Sequence, residues 1–196
     1  MFAVAPSFSG LPVLRWIMDS IYPNCQTTPR VVNLGGYSKS ELLNKLVESS
    51  ISMNVWAETI LSSSYFTASS SRYSVTTVEI NVRDLGFPDG STITDIFEAA
   101  LQSGLRLCPL ELAPYFRLDY RDQAEGSRGK PVLEHQAPYG SITIASAILT
   151  ADDAFPKGFY LRRIEDVLWL RGYRSGADHI WSPNDRFAFM RPEEQG

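Results

Sequence analysis

This chain predicts an α+β fold: a single domain with a mainly antiparallel β-sheet and helices packed on one face. Three observations lead there. Helical periodicity is concentrated early, around 38–50, 54–62 and 92–103, and strand-like alternation dominates the second half. The order of helices, one strand, a helix and then a strand meander favours an antiparallel sheet over a doubly wound parallel one. A length of 196 residues suits one domain, with room for an arm.

Residues 1–30 form that arm, punctuated by Pro6, Gly10, Pro12, Pro23 and Pro29. Leu14, Ile17, Met18 and Ile21 share a helical face, so a short helix is expected there, docked on the body. Residues 31–196 are the domain proper. Leu34-Gly35-Gly36-Tyr37 leads to Ser38, with Glu41 three residues on, a spacing that satisfies two helix-terminal N–H groups reciprocally. Leu42, Leu43, Leu46 and Val47 would be the buried stripe of a helix ending near Ser50. A second helix, Asn54 to Ser62, presents Val55, Trp56, Ile60 and Leu61. Serines from Ser62 to Ser71 then compete for backbone hydrogen bonds and make a loop.

Val78, Ile80 and Val82 alternate with Glu79, Asn81 and Arg83, marking a strand with one wet face. Phe87-Pro88-Asp89-Gly90 is a turn, because proline presets φ and glycine accepts positive φ. Thr92 and Asp95 cap a helix whose stripe is Ile93, Ile96, Phe97, Ala100 and Leu101, and Gly104 stops it. Pro109 and Pro114 bracket a loop. Tyr115 to Arg121 then reads as a strand, with Phe116, Leu118 and Tyr120 on one side and Arg117, Asp119 and Arg121 on the other. Ala124 to Tyr139 is polar, with a short strand at Val132 to His135. Ile142 to Leu149 is apolar on both faces, as a central strand would be. Phe159 to Ile164 and Val167 to Arg171 form a hairpin turning at Glu165-Asp166, and Asp185 to Arg191 supplies the last strand.

Composition bounds the function. The chain is 44% hydrophobic and 20% charged, an ordinary soluble balance. A net charge of −4 argues against duplex nucleic acid, whose phosphates call for a basic surface. No apolar run approaches the roughly 20 residues of a bilayer span, and the first residues make a poor secretory leader. A cytoplasmic protein with reduced thiols is expected; whether Cys25 and Cys108 ever pair is open.

Most catalytic devices fit poorly. Gly36-Tyr37-Ser38-Lys39-Ser40 lacks the closing glycine of a nucleophile elbow, and capping explains Ser38 better. Ser127-Arg128-Gly129-Lys130 spaces a serine and lysine in a polar loop rather than a helix. Gly35-Gly36 could face an anion, but the spacing of a phosphate loop is absent. His135 and His179 belong to no metal-ligand pair, and an oxygen site from Glu79, Asp119 and Glu134 would need three strands to converge. Cys108 reads as a buried, inert thiol rather than a partner of either histidine. Asp185-Arg186 reads as a turn initiator and its local partner. No cofactor motif and no metal site emerge.

The surface singled out is a polar sheet face carrying Arg117, Asp119 and Arg121, near Glu134 and Arg171, with Tyr120, Trp169 and Trp181 alongside. Arginine and aromatic residues dominate binding hot spots. The expected function is a non-enzymatic protein-interaction or regulatory module. A hydrolase-like or small-ligand enzyme using that face, or a nucleic-acid accessory protein, are the alternatives.

Val82-Arg83-Asp84-Leu85-Gly86-Phe87-Pro88-Asp89-Gly90, Leu105-Arg106-Leu107-Cys108-Pro109, Arg117-Leu118-Asp119-Tyr120, Leu168-Trp169-Leu170 and Trp181-Ser182-Pro183-Asn184-Asp185-Arg186-Phe187 carry a resemblance. Over about residues 34–191 the chain resembles a family of uncharacterised bacterial proteins, with the pattern "GLeLCP…LRLqY…LWL…DRfvF". It departs from it at Leu110-Glu111-Leu112 and is longer around Ser127 to Gly140. The resemblance implies a bacterial type of protein and no particular activity.

Overall fold

The computed structural model describes residue 27 and residues 29–126 and 137–192. The arm helix expected near 11–22, Cys25, the serine–lysine pair at 127–130, Glu134 and the strand expected at 132–135 lie outside the described residues.

The first half runs β1 (Pro29–Leu34), α1 (Lys39–Glu48), β2 (Ser52–Met53), α2 (Val55–Ser62) and β3 (Tyr73–Asn81). A 3-10 turn (Val82–Leu85), β4 (Ser91–Thr92), α3 (Ile93–Gln102) and α4 (Leu112–Asp119) follow. The second half is β5 (Ile142–Ile144), β6 (Gly158–Ile164), β7 (Val167–Tyr173), β8 (Ile180–Trp181) and β9 (Arg186–Met190). Seven strands form one sheet in the order β1-β3-β9-β5-β6-β7-β2, and β4 and β8 pair separately.

The α+β class stands, but the sheet is mixed rather than mainly antiparallel. β9 pairs antiparallel with β3 and parallel with β5, and β2 pairs parallel with β7. The reason is burial. Phe187, Ala188 and Phe189 are all fully buried, so the last strand takes a central slot with apolar residues on both faces. It enters between β3 and β5 instead of extending the meander at an edge.

The helices do not share one face either. Val32, Leu34, Ile144, Phe159, Leu161 and Leu170 pack with α1, α2 and α4 in one core. Val78, Ile80, Phe187 and Phe189 face the other way, onto α3 and the 3-10 turn. Over β3 and β9 this second face is covered by α3 and the 3-10 turn, and Thr143 of β5 and Tyr160 of β6 are buried on it as well. Its β5–β6–β7 half carries polar and aromatic side chains.

Local signals in the sequence are largely obeyed. Ser38 and Glu41 complete the capping box of α1, and Thr92 accepts from the Asp95 N–H at the start of α3. Gly104 has φ 79°, the left-handed conformation that glycine tolerates best. Glu165 and Asp166 have φ 51° and 61°, the two-residue turn whose twist matches a hairpin. The helical stripes are narrower than expected: Val47, Val55 and Leu101 are exposed.

The segment 115–121 is the main correction. It is not a strand, since α4 spans Leu112–Asp119. Pro114 sits in the first turn, where a missing N–H costs nothing. Leu112, Ala113, Tyr115 and Phe116 are buried at helical spacing, while the alternation of charges suggested period two. A seven-residue window fits both periods.

Arg117 is fully buried on that helix. Its Nη2 donates to the Tyr120 carbonyl and its Nη1 to Gln123 Oε1. Gln123 Nε2 donates in turn to the carbonyls of Gly140 and Leu161, at 3.0 and 3.2 Å. The guanidinium therefore ties the end of α4 to β6 and the approach to β5. No carboxylate faces it among the described residues, and burial lowers its pKa to about 10. Glu111, one of the residues by which the chain departs from the resembled pattern, is also structural. It accepts from the Ser69 N–H at 2.8 Å and the Tyr73 hydroxyl at 2.7 Å, pinning the serine-rich loop.

Candidate cleft on the second sheet face

Across the β6–β7 hairpin, Tyr160 lies opposite Arg171 and Arg162 opposite Trp169. Thr143 of β5 lies opposite Tyr160, which places all five on one face. Side chains two apart on a strand share a face, so Tyr173 extends the row. A cleft of about 400 Å³ opens over this surface, walled by Trp56, Tyr160, Arg171, Tyr173, Arg174 and Trp181, with His179 at its side.

Asn54 sets the wall from α2. As N-cap it accepts from the Ala57 N–H at 3.0 Å. The same amide continues the sheet edge beyond β2, accepting from the Gly172 N–H at 2.8 Å and donating to its carbonyl at 3.0 Å. Trp56 is thereby held against the end of β7, where the Arg174 guanidinium stacks 4.3 Å above its ring. Arg171 lies between Trp169 and Tyr160, at 5.1 and 5.9 Å from their ring centroids.

The electrostatics are one-sided. Among the described residues no aspartate or glutamate lines the cleft, although the chain carries a net charge of −4. Neither Arg171 nor Arg174 has a carboxylate partner among the described residues. Arg171 Nε and Trp181 Nε1 are buried without a hydrogen-bond acceptor. Trp181 is only 4% exposed, clasped edgewise by Tyr173, His179 and Phe187. Burial pushes the hydroxyls of Tyr160 and Tyr173 up from their ordinary values.

No family model, curated protein or solved structure matches this chain.

The residues expected on one polar face are dispersed. Arg117 is buried and Asp119 is exposed at the end of α4. Arg121 is also exposed and donates to the Leu118 carbonyl at 3.2 Å. Tyr120 lies under the Arg30 guanidinium, 3.9 Å from its ring centroid. Trp169, Arg171 and Trp181 do come together, on the second face. Trp56, Tyr160, Tyr173, Arg174 and His179 were not singled out from the sequence. The hairpin contained the missing signal, because folding it at Glu165-Asp166 places Tyr160 and Arg162 beside Arg171 and Trp169.

Other candidates resolve into structure. Cys108 is a free, buried thiol whose Sγ donates to the Ala188 carbonyl at 3.3 Å, and burial pushes its pKa up. Glu41 occupies the N-terminus of α1 that an anion would need. Among the described residues, no three His, Cys, Asp or Glu side chains group as a metal site. Glu79 is not on a wet face: its side chain is only 15% exposed and is paired with Arg186 Nη1 at 3.2 Å. No described helix is long and apolar enough to cross a membrane.

Asp185 is the turn initiator expected, but Arg186 partners Glu79 rather than Asp185. The Asp185 carboxylate accepts from the Ser182 N–H at 2.9 Å and the Ala137 N–H at 3.2 Å, bracing the edge of the cleft. Desolvation raises its pKa from 3.8, outweighing those two bonds. A carboxyl with a raised folded pKa binds its proton more tightly when folded. Its contribution is therefore most favourable at low pH and falls as the pH rises through the folded pKa. In urea titrations, Asp185→Asn should flatten the decline in stability above pH 3.8. An unchanged slope would show that Asp185 does not titrate in this way.

Proposed function

We propose that this chain is a non-enzymatic binding module, an interaction or regulatory protein, whose recognition site is the β5–β6–β7 cleft. Its ligand presents an anionic, acceptor-rich group. The observation that carries this reading is a pair of ring-stacked guanidinium groups, Arg171 and Arg174, without a carboxylate partner among the described residues, with Arg171 Nε and the Trp181 indole N–H buried without acceptors. A buried donor left unpaired costs about 1–3 kcal/mol, a cost that an arriving acceptor removes. A volume near 400 Å³ suits a small group or one segment of a larger partner.

Binding is preferred over catalysis because acid–base chemistry calls for groups that titrate near the working pH. Burial moves the Tyr160 and Tyr173 hydroxyls away from that range, which leaves His179 as the one acid–base side chain of suitable type among the described lining residues. A cytoplasmic role with a protein partner accompanies this proposal.

A thermal-shift series tests it. Citrate, sulfate and inorganic phosphate should raise the melting temperature, with about 2.7 kcal/mol gained at a hundredfold excess over Kd. Such salts also stabilise proteins generally, so the Arg171→Gln/Arg174→Gln double variant is the control. It should keep only the general increment. Equal shifts in both proteins would remove the cleft from consideration.

A further inference from the structure

We infer that the group this cleft takes is a phosphomonoester, a step that rests on the binding-module reading above. The cleft's aromatic rings are largely spent on its own side chains. Trp56 stacks on Arg174, Trp169 and Tyr160 flank Arg171, and Trp181 is enclosed by three edgewise rings. They preorganise the cations and leave little ring surface for a nucleobase or an aromatic side chain. Recognition therefore falls to charge and hydrogen bonds.

One carboxylate accepts two parallel bonds from one guanidinium and balances one charge. Among the described residues this cleft offers two guanidinium groups and no compensating acid, with the buried, acceptor-less Trp181 indole N–H in its wall. A phosphomonoester brings about −1.5 to −2 charges and three acceptor oxygens in a tetrahedral array, so it can bridge two planar forks. The donor set matches that valence better than a carboxylate. The phosphate can belong to a small metabolite or to a phosphorylated side chain of a protein. Both sources present the same chemistry.

Isothermal titration of the full chain with methyl phosphate, malonate and a phosphoserine peptide, at matched ionic strength, tests the assignment. Methyl phosphate should bind at least about tenfold more tightly than malonate, which carries a similar charge on two separate planar carboxylates instead of one tetrahedral group. Arg171→Gln and Arg174→Gln should each weaken methyl phosphate by about tenfold, and Trp181→Phe, which removes the indole donor together with part of a packed ring, by about threefold. Thermal melts of the free variants establish that each is folded. A peptide bound more tightly than methyl phosphate identifies a protein source, and equal affinity identifies a small molecule. Malonate binding as tightly as methyl phosphate overturns the phosphomonoester assignment while leaving an anion site. Silence toward all three overturns the site itself.

Discussion

Replacing Arg117 by alanine is expected to lower the free energy of unfolding by about 3–5 kcal/mol, from two stranded acceptors and the cavity left by a large side chain. The variant would strand Gln123 Oε1 and the Tyr120 carbonyl and leave a void where a large, fully buried side chain now packs. Arg117→Met separates these effects. Methionine fills most of the volume and relieves the cost of burying a charge, so its loss should be smaller, about 1–2 kcal/mol from the stranded acceptors. Urea denaturation with matched slopes measures both. If methionine is as damaging as alanine, the hydrogen bonds rather than the packing dominate. If neither variant loses stability, the guanidinium is not the tie between α4 and β6 described above.

The second large effect is expected at Gly172. A Cβ there would lie 2.6 Å from the Trp56 carbonyl carbon and 2.7 Å from the Ala57 nitrogen, both backbone atoms. The start of α2 must move, and the two Asn54–Gly172 hydrogen bonds go with it. Overpacking of about 1–3 kcal/mol together with about 1 kcal/mol per bond gives an expected loss of about 3–5 kcal/mol for Gly172→Ala. The same shift moves Trp56 and therefore Arg174, so methyl phosphate affinity should fall even under conditions where the variant remains folded. Asn54→Ala is the companion experiment. It removes the bonds without the clash and should cost less stability. Binding unaffected by Gly172→Ala would show that the α2 wall plays no part in recognition.

Local chemistry was legible wherever a few neighbouring residues sufficed. Ser38 with Glu41 and Thr92 with Asp95 identify helix starts, because a cap needs only its own first turn. Gly104 and Glu165-Asp166 identify a stop and a hairpin for the same reason. Misreading began where a short segment satisfied two periods. Charges alternating through 115–121 outweighed Leu112, Ala113, Tyr115 and Phe116, whose burial sets the helix. The binding residues show the same division. Trp169, Arg171 and Trp181 were chosen on residue type, whereas Arg117, equally attractive on type, is an internal tie. Trp56 and Arg174 carried no local mark, since their meeting depends on how α2 seats against β7.

By itself, then, the amino-acid order determined the α+β class, most of the helix boundaries, the β6–β7 hairpin and an inert Cys108. Those outcomes follow from caps, turns and short-range periodicity, which act within a few residues. Tertiary structure alone decided that β9 enters the middle of a mixed sheet, that the helices divide between two faces, and that Arg117 is sealed while Arg171 and Arg174 meet in a cleft. Each of those choices compares the burial of segments far apart along the chain. That comparison is settled only when every apolar face has found its partner.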